Sequence, residues 1–219
     1  MPDILLLPRN TIPVGTIYCI GRNYLDHIRE LENEPNTEPV LFLKPSAALV
    51  REGMPIELPS FSCDVHHEAE LVLLIGQEGR HVTEEHATDV IAGVGVGLDL
   101  TARDKQSELR AKGLPWTIAK GFETSACVSS FVPPSNLPPL NDLNFSLHVN
   151  GELRQSGHTS LMIFSVQRII SFISGLVRLL PGDLIFTGTP KGVAGIHEGD
   201  TLELSLEDAL HANFRVGVR

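Results

Sequence analysis

The sequence predicts an α+β fold in a single domain covering residues 1–219. A chain of 219 residues is long enough for one domain with a sizeable buried core. Segments with the composition of strands outnumber segments with helical periodicity. Strands and helices do not alternate regularly, as they would in a doubly wound protein, so a few helices are expected to flank a core made mainly of sheet.

The N-terminal elements follow from short apolar runs and the polar residues that separate them. An apolar run predicts a strand over 17–20, and a helix is expected over 22–31, with Asn23 as a cap and Asp26 as a first-turn acid. A polar, proline-broken segment predicts a loop over 32–39. Further strands are expected at 40–44 and 55–59, and a longer one begins near His67.

The remaining elements have clear boundaries in the sequence. A strand over 93–100 leads into a helix over 101–112, which ends at Gly113. Asn-Gly at 150–151 suits a type I′ turn and predicts a hairpin of strands 145–149 and 152–155. An amphipathic helix is expected at 160–180. Two strands, 184–187 and 201–206, each follow a Gly-Asp turn.

Composition excludes several classes of function. The net charge is −10, from 17 Lys+Arg against 27 Asp+Glu, which argues against a nucleic-acid partner because such proteins need a basic stripe. The three cysteines are scattered without C-x-x-C spacing and are expected to be reduced thiols in the core. No signal peptide and no membrane-spanning apolar run is recognised, so a cytoplasmic protein without a membrane partner is expected.

Three acidic residues on two predicted strands give the first functional hypothesis. Glu68 and Glu70 are two residues apart, so in a strand they project from the same face, and Asp99 closes the strand predicted over 93–100. Buried carboxylates without partners are costly, and a hard divalent cation takes oxygen ligands. A Mg²⁺ or Mn²⁺ site is therefore predicted. His66 and His67 would favour zinc, but His67 is expected to point away from the two glutamates.

Gly93, Gly95 and Gly97 share one face of the strand predicted over 93–100, on the same side as Asp99. Glycine weakens a strand unless something approaches its backbone closely. Two interpretations follow: a space cleared for a ligand beside Asp99, or tight packing against a neighbouring element. Glycine alone favours packing.

Other candidate residues have weaker signals. His27 and Glu30 lie one helical turn apart, so the carboxylate can orient the imidazole as a general base acting on water, although ordinary surface pairs share this spacing. Thr189 lies in T-G-T-P-K-G, which lacks the spacing of a P-loop. This segment suits either a loop that binds a small anion or a simple turn between strands. Four cations near turns or strand ends could hold a substrate carboxylate or an oxyanion: Arg22, Lys44, Arg103 and Lys120.

As an ordered set, seven segments resemble the fumarylacetoacetate hydrolase family, in its short single-domain branch similar to acylpyruvases and oxaloacetate decarboxylases. They span about residues 17–200. The segments are G-R-N-Y-L-D-H, E-P-V-L-F-L-K-P, H-H-E-A-E-L, G-L-D-L-T-A-R-D-K-Q, G-L-P-W-T-I-A-K, V-N-G-E-L-R-Q and P-G-D-L-I-F-T-G-T-P-K-G-V.

The resemblance implies a mixed β-roll (a β-sandwich roll of the fumarylacetoacetase C-terminal type), a homodimer, and Mg²⁺ or Mn²⁺ as cofactor. It implies that the metal is held by the three acids identified above, Glu68, Glu70 and Asp99. It places His27 and Glu30 as a catalytic dyad on a lid, with the loop over 32–39 closing over substrate. The further positions implied to bind substrate or stabilise charge are Arg103, Gln106, Lys120 and Thr189, and Arg22 is kept as a substrate-binding candidate from the set of cations above.

The implied activity is metal-dependent cleavage of a C–C bond in a small 2-oxo acid. Hydrolysis of an acylpyruvate, such as acetylpyruvate or fumarylpyruvate, would give pyruvate and a carboxylic acid. Because one enolate-stabilising site supports several reactions, oxaloacetate decarboxylation, oxaloacetate tautomerisation and isomerisation of a 2-hydroxydienedioate remain alternatives. A non-catalytic small-molecule binding protein on the same fold is the alternative from another class.

Overall fold

The structure is a computed structural model and describes residues 3–7, 10–30 and 36–218. Short strands dominate this part of the chain. In chain order they are β1 (Asp3–Leu6), β2 (Asn10–Pro13), β3 (Ile17–Gly21), β4 (Val40–Lys44), β5 (Leu49–Arg51), β6 (Pro55–Ile56), β7 (Val65–His67), β8 (Ala69–Ile75), β9 (Ile91–Asp99), β10 (Thr101–Ala102), β11 (Ala126–Val128), β12 (Asn144–Val149), β13 (Glu152–His158), β14 (Leu184–Phe186), β15 (Ala194–Gly195), β16 (Thr201–Leu206) and β17 (Leu210–Val216).

Helices are few and short in the described residues. The α-helices are α1 (Leu25–Glu30), α2 (Arg103–Ala111), α3 (Thr117–Lys120) and α4 (Val166–Leu176). Short 3₁₀ helices occur at Ser46–Ala48, Glu84–Val90, Pro134–Asn136 and Thr159–Leu161. The predicted α+β class is confirmed, because the helices connect or cover sheets and do not alternate with strands.

The strands of the described residues form four sheets. The largest has the order β4-β3-β14-β8-β9-β11-β5, and the second has the order β13-β12-β16-β17-β6. Both are mixed: β14 is parallel to β3 and β11 to β5, β17 is parallel to β6, and the other neighbours are antiparallel. Two small sheets, β1-β2 and β10-β7-β15, complete the set.

The core lies on both faces of β8, which explains its continuous apolar run. Leu71 and Leu73 pack into the larger cluster, with the inner faces of β12, β16 and β17 and with α4. Val72 and Leu74 point to the opposite face and pack into a second cluster. A strand buried on both faces needs no polar alternation, so Glu70 on this strand is exceptional.

Several predicted elements are confirmed, and the helices are shorter than predicted. The hairpin of β12 and β13 turns at Asn150 and Gly151, both at positive φ, as a type I′ turn requires. The helix predicted over 22–31 begins only at Leu25. Asn23 is not its cap, because its side chain is engaged with the backbone of Phe164 and Thr187.

The other two helix predictions were too long at both ends, since α2 covers Arg103–Ala111 and α4 covers Val166–Leu176. Thr101 and Ala102 form a strand that pairs with β7, so α2 starts at Arg103. The helix predicted over 160–180 starts at Val166, after Ser165 accepts a capping hydrogen bond from the Arg168 N–H. The strand predicted over 55–59 is confined to β6. The single-domain assignment of residues 1–219 stays a prediction.

The glycine face of β9 is a packing surface, and the ligand-space interpretation is wrong. A Cβ at Gly93 would lie 2.9 Å from Leu6 and Phe131, and one at Gly95 would lie 2.8 Å from Ser129 Oγ. At Gly97 it would lie 2.4 Å from the Cys127 carbonyl oxygen on the paired strand β11. Because these glycines have no side chains, the residues named above can pack closely against the backbone of β9.

Gly97→Ala is expected to lower the free energy of unfolding by about 3 kcal/mol, the upper range for overpacking, because the Cys127 carbonyl is held in the sheet. Gly175→Ala is the matched control. Gly175 is exposed on α4 with nothing within 4 Å of its Cβ position, so this change should raise the free energy by about 0.5–1 kcal/mol. Urea unfolding of both variants at one protein concentration checks this; an unchanged Gly97→Ala midpoint would contradict it.

Candidate functional site

Three buried carboxylates converge where β7, β8 and β9 meet. Glu70 lies on β8 and Asp99 ends β9, and the antiparallel pairing of Glu70 with Gly97 brings the two side chains to one place. Glu68 lies in the break between β7 and β8, so the premise that both glutamates share one strand was wrong. Ligand oxygens of Glu68, Glu70 and Asp99 nonetheless all lie within 4.8 Å of one another.

Three cations partly neutralise this cluster. Lys120 Nζ lies 2.7 Å from Glu68 Oε2 and 2.6 Å from Asp99 Oδ2. Arg103 Nη2 donates to Glu68 Oε1 at 2.6 Å, and Lys44 Nζ lies 2.7 Å from Asp99 Oδ1. Ion pairs this deeply buried are retained only when both charges are well partnered. Glu68 and Asp99 are thus held in position by fixed positive charges.

Glu70 is the carboxylate without a cation of its own in the described residues. It accepts one hydrogen bond, from the Gly188 N–H at 2.7 Å. Burial, and then the charges of Asp99 and Glu68, raise the pKa of Glu70 well above its usual value. Burial also raises the pKa of Glu68, but the charges of Lys120 and Arg103 outweigh burial and hold it well below its usual value. Among the described residues, Glu70 is therefore the carboxylate of the cluster that makes no ion pair, because all three cations contact Glu68 or Asp99.

The donor set fits a hard divalent cation. Its ligands would be carboxylate oxygens only, and a dication would supply the positive charge that Glu70 lacks. His67 is directed elsewhere, as predicted: its Nδ1 donates to Gln155 Oε1 at 2.9 Å, and burial lowers its pKa. Mg²⁺ or Mn²⁺ therefore fits these residues better than zinc.

The predicted dyad is formed. His27 Nδ1 lies 3.2 Å from Glu30 Oε2, with His27 buried and Glu30 partly exposed at the end of α1. Glu30 also accepts from the Gly192 N–H at 3.0 Å, which ties α1 to the T-G-T-P-K-G loop. The predicted lid over 32–39 overlaps residues 31–35, which lie outside the described residues, so its closure stays a prediction.

A narrow cleft of about 60 Å³ brings most of the candidate residues together. Its lining residues are Gly21, Arg22, His27, Phe42, Glu68, Arg103, Gln106, Arg110, Trp116 and Lys120. Gln106 Oε1 accepts from Arg103 Nη1 at 2.6 Å, so the α2 pair is preformed. Since cations, an imidazole and an amide line the cleft together with a single carboxylate of the cluster, Glu68, it suits a small anionic ligand.

Two predicted residues have contacts that the sequence did not suggest. Thr189 is buried, and its hydroxyl donates a hydrogen bond to the Ala69 carbonyl at 2.8 Å and accepts one from Gln155 Nε2. The hydroxyl is therefore both a donor and an acceptor within the protein. Lys44 was grouped with cations that could hold a substrate carboxylate. That expectation was wrong for Lys44, whose fully buried ammonium binds Asp99 and the backbone carbonyls of Leu100 and Lys120.

Sequence reasoning missed residues that act through long-range contacts. Gln155 bonds the backbone beside the glutamates, and Gly188 bonds Glu70 directly. Both lie in segments that were recognised as motifs, V-N-G-E-L-R-Q and the T-G-T-P-K-G loop, so a signal was present without an assigned role. All three cysteines are free, as predicted, and Cys19 and Cys127 are buried; the expected core position was wrong for Cys63, which is exposed.

Comparisons with known proteins agree over most of the chain. Residues 16–216 match the family model described as fumarylacetoacetate (FAA) hydrolase C-terminal. The chain is 49% identical over 200 residues to the Rattus norvegicus protein named oxaloacetate tautomerase FAHD1, mitochondrial, covering 91% of this chain and 90% of the relative. It is 42% identical over 191 residues to the Dictyostelium discoideum oxaloacetate decarboxylase, mitochondrial, covering 87% and 88%.

A solved structure extends the likeness to three dimensions. The crystal structure of fumarylpyruvate hydrolase from Pseudomonas aeruginosa in complex with Mn²⁺ and pyruvate superposes with a TM-score of 0.94 at 36% identity. The match covers 100% of this chain and 96% of that one. Among the described residues, no helix has the length and apolar character needed to cross a bilayer.

Proposed function

The chain belongs to the fumarylacetoacetate hydrolase family, and on that premise we propose that it is a metal-dependent enzyme that acts on small 2-oxo acids through their enolates. The predicted family fold is confirmed by the full-length structural match. The observation that carries the proposal is the buried cluster of Glu68, Glu70 and Asp99, of which Glu68 also lines the cation-rich cleft.

Glu68, Glu70 and Asp99 would hold Mg²⁺ or Mn²⁺. When bound there, the ion supplies a Lewis acid that stabilises negative charge on the oxygen of an enolate. Binding of Mn²⁺ by the Pseudomonas aeruginosa hydrolase supports this choice of ions. Arg22 and Arg103 provide positive charge for a substrate carboxylate, and Gln106 provides an amide donor beside it.

For an acylpyruvate, the chain's own residues account for the water chemistry. Glu30 orients His27 through Nδ1, which leaves Nε2 to take a proton from water. The hydroxide attacks the distal carbonyl, the bond to the methylene carbon breaks, and pyruvate leaves as its enolate, with Lys120 positioned to stabilise developing oxyanion charge. Protonation of the enolate carbon completes pyruvate, so one water is consumed and one carboxylic acid is formed.

Oxaloacetate is the second candidate substrate, and the names of the relatives favour it. Loss of CO₂ from oxaloacetate gives the same pyruvate enolate without an attacking water, and proton transfer alone interconverts its keto and enol forms. The relative at 49% identity is named an oxaloacetate tautomerase, and the relative at 42% identity is named an oxaloacetate decarboxylase. Isomerisation of a 2-hydroxydienedioate needs only proton transfer as well. Non-catalytic binding is disfavoured because the cluster and the dyad are both intact.

Assembly as a homodimer stays a proposal. The edge strand β4 borders an apolar groove of about 1060 Å³, in which Leu43 and Leu114 are exposed, and a second copy of the chain is its proposed occupant. Light scattering of the purified protein would decide this, since a monomeric mass would contradict it. The cytoplasmic location also stays a prediction.

The proposal is tested by measuring turnover of acetylpyruvate, fumarylpyruvate, oxaloacetate and a 2-hydroxydienedioate with Mg²⁺, with Mn²⁺ and with EDTA. We expect turnover of at least one 2-oxo acid that EDTA abolishes and added metal restores. The ratio of kcat/KM values ranks hydrolysis against decarboxylation and tautomerisation. Metal-dependent binding without turnover of any substrate would support the binding-protein alternative and contradict the proposal.

A further inference from the structure

The hairpin of β12 and β13 buries a polar residue that the proposed reaction does not use, Gln155. It lies on the edge strand of the five-stranded sheet, yet only 1% of it is exposed. Leu153, two residues earlier on the same strand, is 59% exposed. An exposed leucine beside a buried glutamine reverses the usual preference of these residue types.

A β-bulge explains this reversal. In the pairing of β12 with β13, Leu147 is opposite Gln155 whereas His148 is opposite Leu153, so Arg154 is an extra residue. A bulge re-aims the side chains on either side of it. Here it directs Gln155 inward, toward the β7–β8 break and the loop after β14.

Every hydrogen-bonding group of the Gln155 amide has a partner there. Oε1 accepts from the Ala69 N–H and from His67 Nδ1, both at 2.9 Å. Nε2 donates to Thr189 Oγ1 at 2.8 Å and to the Pro190 carbonyl at 2.9 Å. A buried amide with four satisfied bonds is rigidly held, and losing it would leave several buried groups unpaired.

These partners flank the carboxylates. Ala69 is the residue between Glu68 and Glu70, and its carbonyl accepts from the Thr189 hydroxyl at 2.8 Å. Gly188, next to Thr189, donates to Glu70. The hydrogen bonds therefore form a closed ring: Gln155 bonds Ala69, Ala69 bonds Thr189, and Thr189 bonds Gln155. Gly188, in the same 188–190 loop, adds the bond to Glu70.

We propose that Gln155 is a positioning residue: its amide fixes the Glu68–Glu70 segment against the 188–190 loop, so that the affinity for a divalent cation depends on it. The inference rests on the proposed function, since it takes the carboxylate cluster as the cation site. Hydrogen-bond partners outside the ligands of a metal typically contribute 10–100-fold to its affinity.

The test is Mn²⁺ binding without substrate, followed by the electron paramagnetic resonance signal of free Mn²⁺. Gln155→Met keeps the length of the side chain and removes all four hydrogen bonds; we expect its Kd for Mn²⁺ to rise by about 10-fold or more. Thr159→Val is the matched control. The buried Thr159 hydroxyl accepts a hydrogen bond from the Leu143 N–H at the far end of the same hairpin, and valine removes that acceptor. The control should bind Mn²⁺ as the wild type does.

Thr189→Val breaks the same ring from the other side and keeps the inference testable if Gln155→Met does not fold. Its Kd for Mn²⁺ is also expected to rise. Wild-type affinity in a folded Gln155→Met or in Thr189→Val, or an equal loss in Thr159→Val, would overturn the positioning role alone. A wild-type protein that binds no Mn²⁺ would overturn the proposed function itself, and the inference with it.

Discussion

Glu70→Gln is expected to abolish metal-dependent turnover, with kcat/KM falling by about 10³-fold or more, equivalent to about 4 kcal/mol of transition-state stabilisation. Glu70 is the one carboxylate of the cluster without its own cation, so its charge is the one that a dication would neutralise. The amide keeps an oxygen for the Gly188 N–H, so the fold should survive. Steady-state kinetics and Mn²⁺ titration measure the loss.

Stability distinguishes this effect from damage to the fold. Burial and the charges of Asp99 and Glu68 raise the pKa of Glu70 in the folded state. The protonated Glu70 side chain therefore stabilises the fold below the pKa it has in the unfolded chain, and this stabilisation is lost as pH rises through its pKa in the folded protein. In EDTA at neutral pH, Glu70→Gln should therefore be more stable than the wild type. The difference should shrink below about pH 4, near the unfolded pKa.

Glu203→Gln on the exposed face of β16 makes the same chemical change away from the site and should leave kinetics and stability unaltered. A Glu70→Gln protein that retains metal-dependent turnover would remove Glu70 from the ligand set. A Glu70→Gln protein that unfolds in EDTA at neutral pH would show that the carboxylate has a structural role instead.

His27→Ala is expected to separate hydrolysis from decarboxylation. Hydrolysis needs a base to take a proton from water, and such proton transfer typically contributes 10²–10⁴-fold, so acylpyruvate hydrolysis should fall by about 10³-fold. Decarboxylation of oxaloacetate needs no attacking water and should fall by less than about 10-fold. Both rates are measured with saturating Mg²⁺, so that an altered metal affinity does not contribute.

Two further variants complete this experiment. Glu30→Gln keeps the size of the side chain but removes the charge that orients His27, so it should impair hydrolysis less than His27→Ala and in the same direction. His211→Ala, on the exposed face of β17, should change neither reaction. Equal losses of hydrolysis and decarboxylation in His27→Ala would contradict the assignment of His27 as the base acting on water.

Much of the site could be predicted because its residues are set by local periodicity and strand order. The spacing of Glu68 and Glu70 and the position of Asp99 at a strand end suggested that three acids meet, and they do, although Glu68 lies in the break between β7 and β8. The i, i+3 spacing of His27 and Glu30 correctly predicted a contact. Local signals succeeded here because β8 and β9 are long and buried, and their antiparallel register is continuous from Ala69 to Leu74.

The rest depended on contacts that no local pattern specifies. The strand break at Glu68 is stabilised by Gln155, which comes from 86 to 88 residues away and reaches inward only because of the bulge at Arg154. The helix predicted over 160–180 was too long because the apolar residues before Ser165 suggested helix, whereas Met162 forms a bridge to Tyr24. β17 alternates buried and exposed residues along its whole length, and that pattern could have been recognised.

The most direct test of the central claim is an anomalous difference map from crystals grown with Mn²⁺ and oxalate, a mimic of the pyruvate enolate. We predict one strong peak in contact with carboxylate oxygens of Glu68, Glu70 and Asp99, at about 2.1 Å, the distance expected for a small hard dication. A map in which Mn²⁺ binds elsewhere, with Glu68 and Asp99 still paired with Lys44, Arg103 and Lys120 and with Glu70 bonded to the Gly188 N–H, would contradict the claim that the three carboxylates form the metal site.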